Sequence, residues 1–158
     1  EITPTAEVLT SLMGFTHVGS YPSLVSENLP DIEVYATGEG GAGAEVHIET
    51  RPELPKERLG RGGVHHVAFR VPNEEEYDAW AERIRQARVP NSGKVDRHYF
   101  KALYFREPNG ILFELSTDTP GFDVDEPLEA LGENLSLPPF LEPEREEIES
   151  KLRPLELT

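Results

Sequence analysis

The stretch that decides the reading is Gly63-Val64-His65-His66-Val67-Ala68-Phe69-Arg70-Val71-Pro72. Side chains alternate along an extended chain, so Val67, Phe69 and Val71 share one face while His66, Ala68 and Arg70 share the other. A second stretch, Gly110-Ile111-Leu112-Phe113-Glu114-Leu115, has the same arrangement. There Ile111, Phe113 and Leu115 point one way, and Glu114 points the other with Leu112 and Ser116. Each strand therefore offers one metal-competent side chain on the face its apolar neighbours avoid. An imidazole and a carboxylate so placed are two of the three ligands of a 2-His-1-carboxylate iron site. No third ligand is evident from the pattern.

Working outward, Asn73-Glu74-Glu75-Glu76 reads as a helix start with acid in the first turn. Tyr77, Trp80, Ala81 and Ile84 continue it at helical spacing, with Trp80 expected in the core. Tyr99 to Arg106 is expected as a strand, Glu107-Pro108-Asn109-Gly110 as a turn, and Ile111 to Thr117 as the last strand. An earlier pass has the same order. Ala6, Val8, Leu9, Leu12 and Met13 make a short amphipathic helix, with Pro4 at its start and Gly14 ending it. Phe15 to Tyr21, Ile32 to Ala36 and Ala44 to Thr50 follow as strands, the last two joined through a Gly38–Gly43 loop. That loop lacks the Lys of a phosphate-binding loop and is read as a hairpin.

A shift of 67 residues lays Gly43-Ala44-Glu45-Val46-His47-Ile48 on Gly110-Ile111-Leu112-Phe113-Glu114-Leu115 and the first helix on the second. The chain thus reads as an internal repeat of strand, helix and three strands. The counterpart of Val64 to Val71 falls before about residue 4 and is missing from the first repeat, as if the chain were a piece of something longer. The expected division is an incomplete module over 1–55, a linker over 56–63, a complete module carrying the ligands over 64–118, and an extended tail with a short helix over 119–158. In the tail, Phe122, Leu131 and Phe140 are expected as buried anchors of a packing strap, and Glu144 to Leu152 as a charged helix.

The composition narrows function. With no Cys, disulfides and thiolate chemistry are excluded and a metal must use N and O ligands. A formal net charge of -15 argues against binding a nucleic-acid backbone. No apolar run is long enough to span a membrane and no signal peptide is visible, so a cytoplasmic protein is expected.

Taken together, these motifs resemble the vicinal oxygen chelate superfamily, the group that includes glyoxalases and extradiol dioxygenases. More narrowly, 63–72, Asp96-Arg97-His98-Tyr99-Phe100-Lys101, Tyr104-Phe105-Arg106-Glu107-Pro108 and Thr117-Asp118-Thr119-Pro120-Gly121-Phe122 resemble the C-terminal half of bacterial ring-cleaving dioxygenases acting on para-hydroquinones. Leu131-Gly132-Glu133 and Leu137-Pro138-Pro139 fit the same group. The resemblance implies an α+β fold of paired βαβββ modules forming a cupped mixed sheet. It implies Fe(II), with Mn(II) as the alternative, held by His66 and Glu114. The other histidine would come from outside the chain, from an N-terminal half or a second chain. It further implies a small aromatic substrate with O2, Tyr104 touching a phenolic oxygen, Arg97 near the substrate, and His65 supporting the ligand histidine.

Other readings stay open. The same cup serves glyoxalase-like lyases or isomerases, and it also serves non-catalytic small-molecule-binding modules. His47, at the repeat position of Glu114, is a minor candidate for the third ligand, and His98 for the cavity entrance. His17 has no comparable warrant.

Overall fold

The computed structural model describes residues 2–55 and 58–154. Its elements are α1 (Ile2–Glu7, continued by a π-helical turn Val8–Leu12), β1 (Thr16–Tyr21), β2 (Ile32–Ala36), β3 (Glu45–Ile48), β4 (Val67–Val71), α2 (Glu74–Gln86), β5 (Val95–Asp96), β6 (Phe100–Arg106), β7 (Leu112–Pro120) and α3 (Arg145–Lys151). The strands form two sheets, β1-β2-β3 and β4-β7-β6-β5. The first is antiparallel, whereas the second is mixed because β4 runs parallel to β7. The fold is α+β, as expected.

Local signals explain most element ends. The Asn73 side chain accepts a hydrogen bond from Glu76 N at 2.9 Å, so α2 starts on a side-chain cap with three acids in its first turn and arginines in its last. Pro4 sits in the first turn of α1, where a missing N–H costs nothing. The β2–β3 hairpin needs left-handed backbone at Gly38, Gly40, Gly41 and Gly43, which explains the glycine cluster.

Two strand boundaries differ from expectation by three residues. The strand expected from Val64 begins only at Val67. In the parallel register Val67 lies beside Phe113, and β7 begins at Leu112, so Val64 and His65 have no strand left to pair with. The last strand runs on to Pro120 because β6 keeps pairing with it as far as Phe100–Pro120.

A single apolar cluster joins both halves: Leu9, Met13, Phe15 and Tyr35 from the first, and Val71, Tyr77, Ile84, Leu103, Phe105, Phe113 and Leu115 from the second. Complete burial of a Leu or Phe side chain is worth about 2 kcal/mol, so this cluster dominates the folding free energy. A polar tether adds direction. The Thr5 hydroxyl donates to Glu107 Oε2, Asn109 donates to Thr5 Oγ1 at 2.7 Å, and Glu107 Oε1 accepts from Ile111 N at 2.8 Å. The expected surface turn therefore contains a buried acid that fastens α1 to the β6–β7 connection.

Trp80 is half-buried and not fully in the core. The tail anchors also differ from expectation: Phe122 is 64% exposed, Leu131 38% and Phe140 75%. Phe122 instead stacks on Tyr99, ring centroids 5.4 Å apart. Among the described residues the outer edges of β3 and β4 pair with no strand. Residues from both, including Glu45, Val46, Val67 and Phe69, line one cleft of about 490 Å3.

Candidate metal and substrate site

The mixed sheet decides what stands beside Glu114. The parallel ladder sets Ala68 next to it, and the antiparallel ladder sets Tyr104 on its other side. Partners in a ladder project to the same face, so Ala68, Glu114 and Tyr104 form a row across three strands. Ala68 contributes only a methyl group beside the carboxylate. His66 lies two residues before Ala68 on the same parity, and its Nε2 is 2.7 Å from Glu114 Oε2. The pairing of His66 with Glu114 expected from alternation is thus observed as direct contact.

The environment of the two groups is unequal. Glu114 is 2% exposed, while His66 is half-open to solvent. Among the described residues Glu114 Oε1 is buried without a hydrogen-bond partner. A buried, unsatisfied carboxylate oxygen costs roughly 1–3 kcal/mol, so the fold tolerates a group that something else is suited to engage. A divalent cation supplies that: hard oxygen and imidazole nitrogen are the donors Fe(II) or Mn(II) accepts. On this observation the residues present fit a metal. Among the described residues no three His, Asp or Glu side chains converge as a complete set.

His65 sits behind His66, the two Nδ1 atoms 2.9 Å apart. One of these nitrogens carries the hydrogen. If His66 directs the Nε2 lone pair into the site, its Nδ1–H donates to His65, which fixes tautomer and ring orientation.

Tyr104 lies edge-on to His66, ring centroids 6.0 Å apart. Burial raises its phenol pKa; the neighbouring Glu114 carboxylate adds to the rise and Arg97 opposes it. Arg97 Nε donates to the Tyr104 hydroxyl at 3.3 Å, and the guanidinium lies 5.3 Å from the ring centre. Among the described residues Arg97 has no carboxylate partner, although the chain carries 30 acidic residues. His66, Glu114, Tyr104 and Arg97 therefore form one connected line, with His65 at its end.

Other candidates lie elsewhere. His47 is on β3 in the other sheet, between Tyr21 Oη (3.0 Å from Nδ1) and Glu45 Oε2 (3.0 Å from Nε2). His17 pairs with Glu33 at 2.5 Å. His98 borders a hollow with Arg97. Two further neighbours of the site had no role there in the sequence reading. Ala68 was legible in the alternation but has no functional group to draw notice. The Pro138–Phe140 segment beside Arg97 carries no periodic signal at all.

With this geometry in view, comparisons place the chain. Residues 5–115 match the family model described as "Glyoxalase/Bleomycin resistance protein/Dioxygenase superfamily". A Bacillus subtilis (strain 168) protein named "Putative ring-cleaving dioxygenase MhqA" is 54% identical over 97% of this chain and 48% of its own length. The "Chlorohydroquinone/hydroquinone 1,2-dioxygenase" of Sphingobium indicum is 36% identical over 72% of this chain and 36% of its own length. A crystal structure named "putative dioxygenase from Bacillus subtilis" superposes with a TM-score of 0.82 at 36% identity, covering 98% of this chain and 46% of that one. The chain spans about half the length of the curated relatives it matches most fully. Family model, fold and relatives agree, and the chain belongs to the glyoxalase/bleomycin resistance protein/dioxygenase superfamily.

Proposed function

We propose that this chain is the C-terminal part of an Fe(II)-dependent dioxygenase that opens a hydroquinone-type ring with O2. The observation that carries the reading is the contact of His66 with Glu114, one carboxylate oxygen of which is buried and unpartnered. The relatives' names support a dioxygenase and make a hydroquinone a suitable substrate class. Mn(II) is the alternative metal, and the third ligand comes from an N-terminal half or a second chain.

When bound, Fe(II) supplies the site where a phenolic oxygen and O2 meet. The chain's own residues do the rest. Tyr104 keeps its proton at neutral pH, since its pKa is raised, and so acts as a hydroxyl donor to an oxygen of the ring. The Arg97 guanidinium stabilises negative charge that develops there. Its contact with Tyr104 orients the phenol hydroxyl, and His65 holds the His66 ring.

The test loads the purified chain anaerobically with Fe(II), alone and co-expressed with the N-terminal half of a full-length relative. Weak iron binding alone, firm binding in the pair, and O2 uptake with hydroquinone are expected. Tight stoichiometric iron in the isolated chain would overturn the need for a ligand from outside it. Conversion of a dicarbonyl–thiol adduct without O2 uptake would favour a lyase, and no metal binding in either form would sink the metal reading.

A further inference from the structure

The tail leaves a hollow of about 580 Å3 against the β5–β6 turn, lined by Asp96, Arg97, His98, Pro138, Pro139 and Phe140. This is within the size range of small-molecule sites. Arg97 connects it to the catalytic line, since the same side chain borders the hollow and touches Tyr104. A ring held at Tyr104 would thus have this space on the far side of Arg97.

Both walls are braced before any ligand arrives. On the turn, Arg97 N donates to Phe100 O at 2.8 Å and Tyr99 N to Arg97 O at 2.9 Å. His98 takes a left-handed φ of 70°, and its N–H donates to Asp96 Oδ1 at 2.8 Å. A non-glycine residue in that region is held there by its surroundings. On the strap, Leu141 N donates to Pro138 O at 2.8 Å, and Arg145 Nη1 to Leu135 O at 2.9 Å. Arg145 is itself fixed by Glu142 and Glu149.

The lining also defines the occupant. The Arg97 guanidinium is turned to the Tyr104 hydroxyl, and the Asp96 carboxylate already accepts the His98 N–H. The opposite wall is two proline rings and the open face of Phe140. Such a surface suits an uncharged apolar group better than an ion.

We propose that this hollow is a subsite for an apolar substituent, alkyl or aryl, on the aromatic substrate, and that Phe140 sets the preference for it. The proposal rests on the ring-cleaving reading above, and its test separates the two. The iron-loaded protein, assembled as in the preceding experiment, is assayed with hydroquinone and with 2-phenylhydroquinone. In Phe140→Ala, kcat/KM for the phenyl compound falls about tenfold, the scale on which pocket contacts discriminate apolar groups, while hydroquinone is unaffected. A parallel fall for both substrates, or no change for either, overturns the subsite. If neither compound is turned over, the ring-cleaving reading fails. The subsite then stands on NMR of the 158-residue chain, where 2-phenylhydroquinone but not hydroquinone shifts the amides of His98 and Phe140. Absence of those shifts overturns it.

Discussion

Tyr104 and Glu114 stand directly opposite each other on β6 and β7, so the phenol and the carboxylate share one face by strand register alone. This register couples a candidate proton donor to a candidate metal ligand without any loop. The positions of the two groups depend on strand pairing within the sheet.

The first prediction follows from the unpartnered oxygen of Glu114. Glu114→Leu removes a buried polar group, so the metal-free chain is expected to keep its stability or gain about 1 kcal/mol. Metal affinity of the assembled protein drops at least about 100-fold in the same variant, more than loss of a supporting contact would cost. Urea denaturation and metal titration read the two effects. A loss of stability above about 2 kcal/mol would mean the carboxylate is structural.

Arg97 is expected to act through its planar cation on Tyr104. Arg97→Ala lowers kcat/KM for hydroquinone on the order of 10- to 100-fold, and Arg97→Lys does not restore it, because Lys lacks the flat guanidinium. Full rescue by Lys would reduce the role of Arg97 to charge alone.

The fold was legible where periodicity and caps agree. The Asn73 cap, the 2-residue alternation around Phe69 and Phe113, and the Gly38–Gly43 hairpin all depend on neighbours in sequence. The His66–Glu114 pairing was legible for the same reason, since parity sets both side chains on one face. What escaped depends on partners far along the chain. Nothing near Glu107 announces that it will bond Thr5 and be buried, and nothing near Phe140 announces that its ring stays exposed.

That hidden acid gives a third prediction. Glu107→Ala leaves the Thr5 hydroxyl and the Ile111 N–H without their partner, and is expected to cost about 2–4 kcal/mol. Chemical denaturation measures it, and a change below about 0.5 kcal/mol would show that water replaces the tether.

Tyr35, Tyr77 and Tyr104 all have phenol pKa values raised, chiefly by burial. A folded pKa above the unfolded one of about 10 gives stability that is complete below pH 10 and lost as pH rises through the folded value. Unfolding at alkaline pH, followed by phenolate absorbance, should therefore begin only above about pH 10. Tyr77 also donates to Ala102 O at 2.7 Å. Tyr77→Phe should cost about 1 kcal/mol at neutral pH and flatten the alkaline decline. An unchanged alkaline slope would assign the effect to Tyr35 and Tyr104.

The bare borders of β3 and β4 carry a cost of another kind. Unpaired strand edges are templates on which a second molecule can add its own backbone. In this chain the opposing force is mutual repulsion between molecules of net charge -15. Repulsion of that sort reaches about 10 Å at 0.1 M salt and only about 3 Å at 1 M. Ionic strength thus governs whether copies stay apart, and light scattering across a salt series would show monodisperse particles giving way to assemblies.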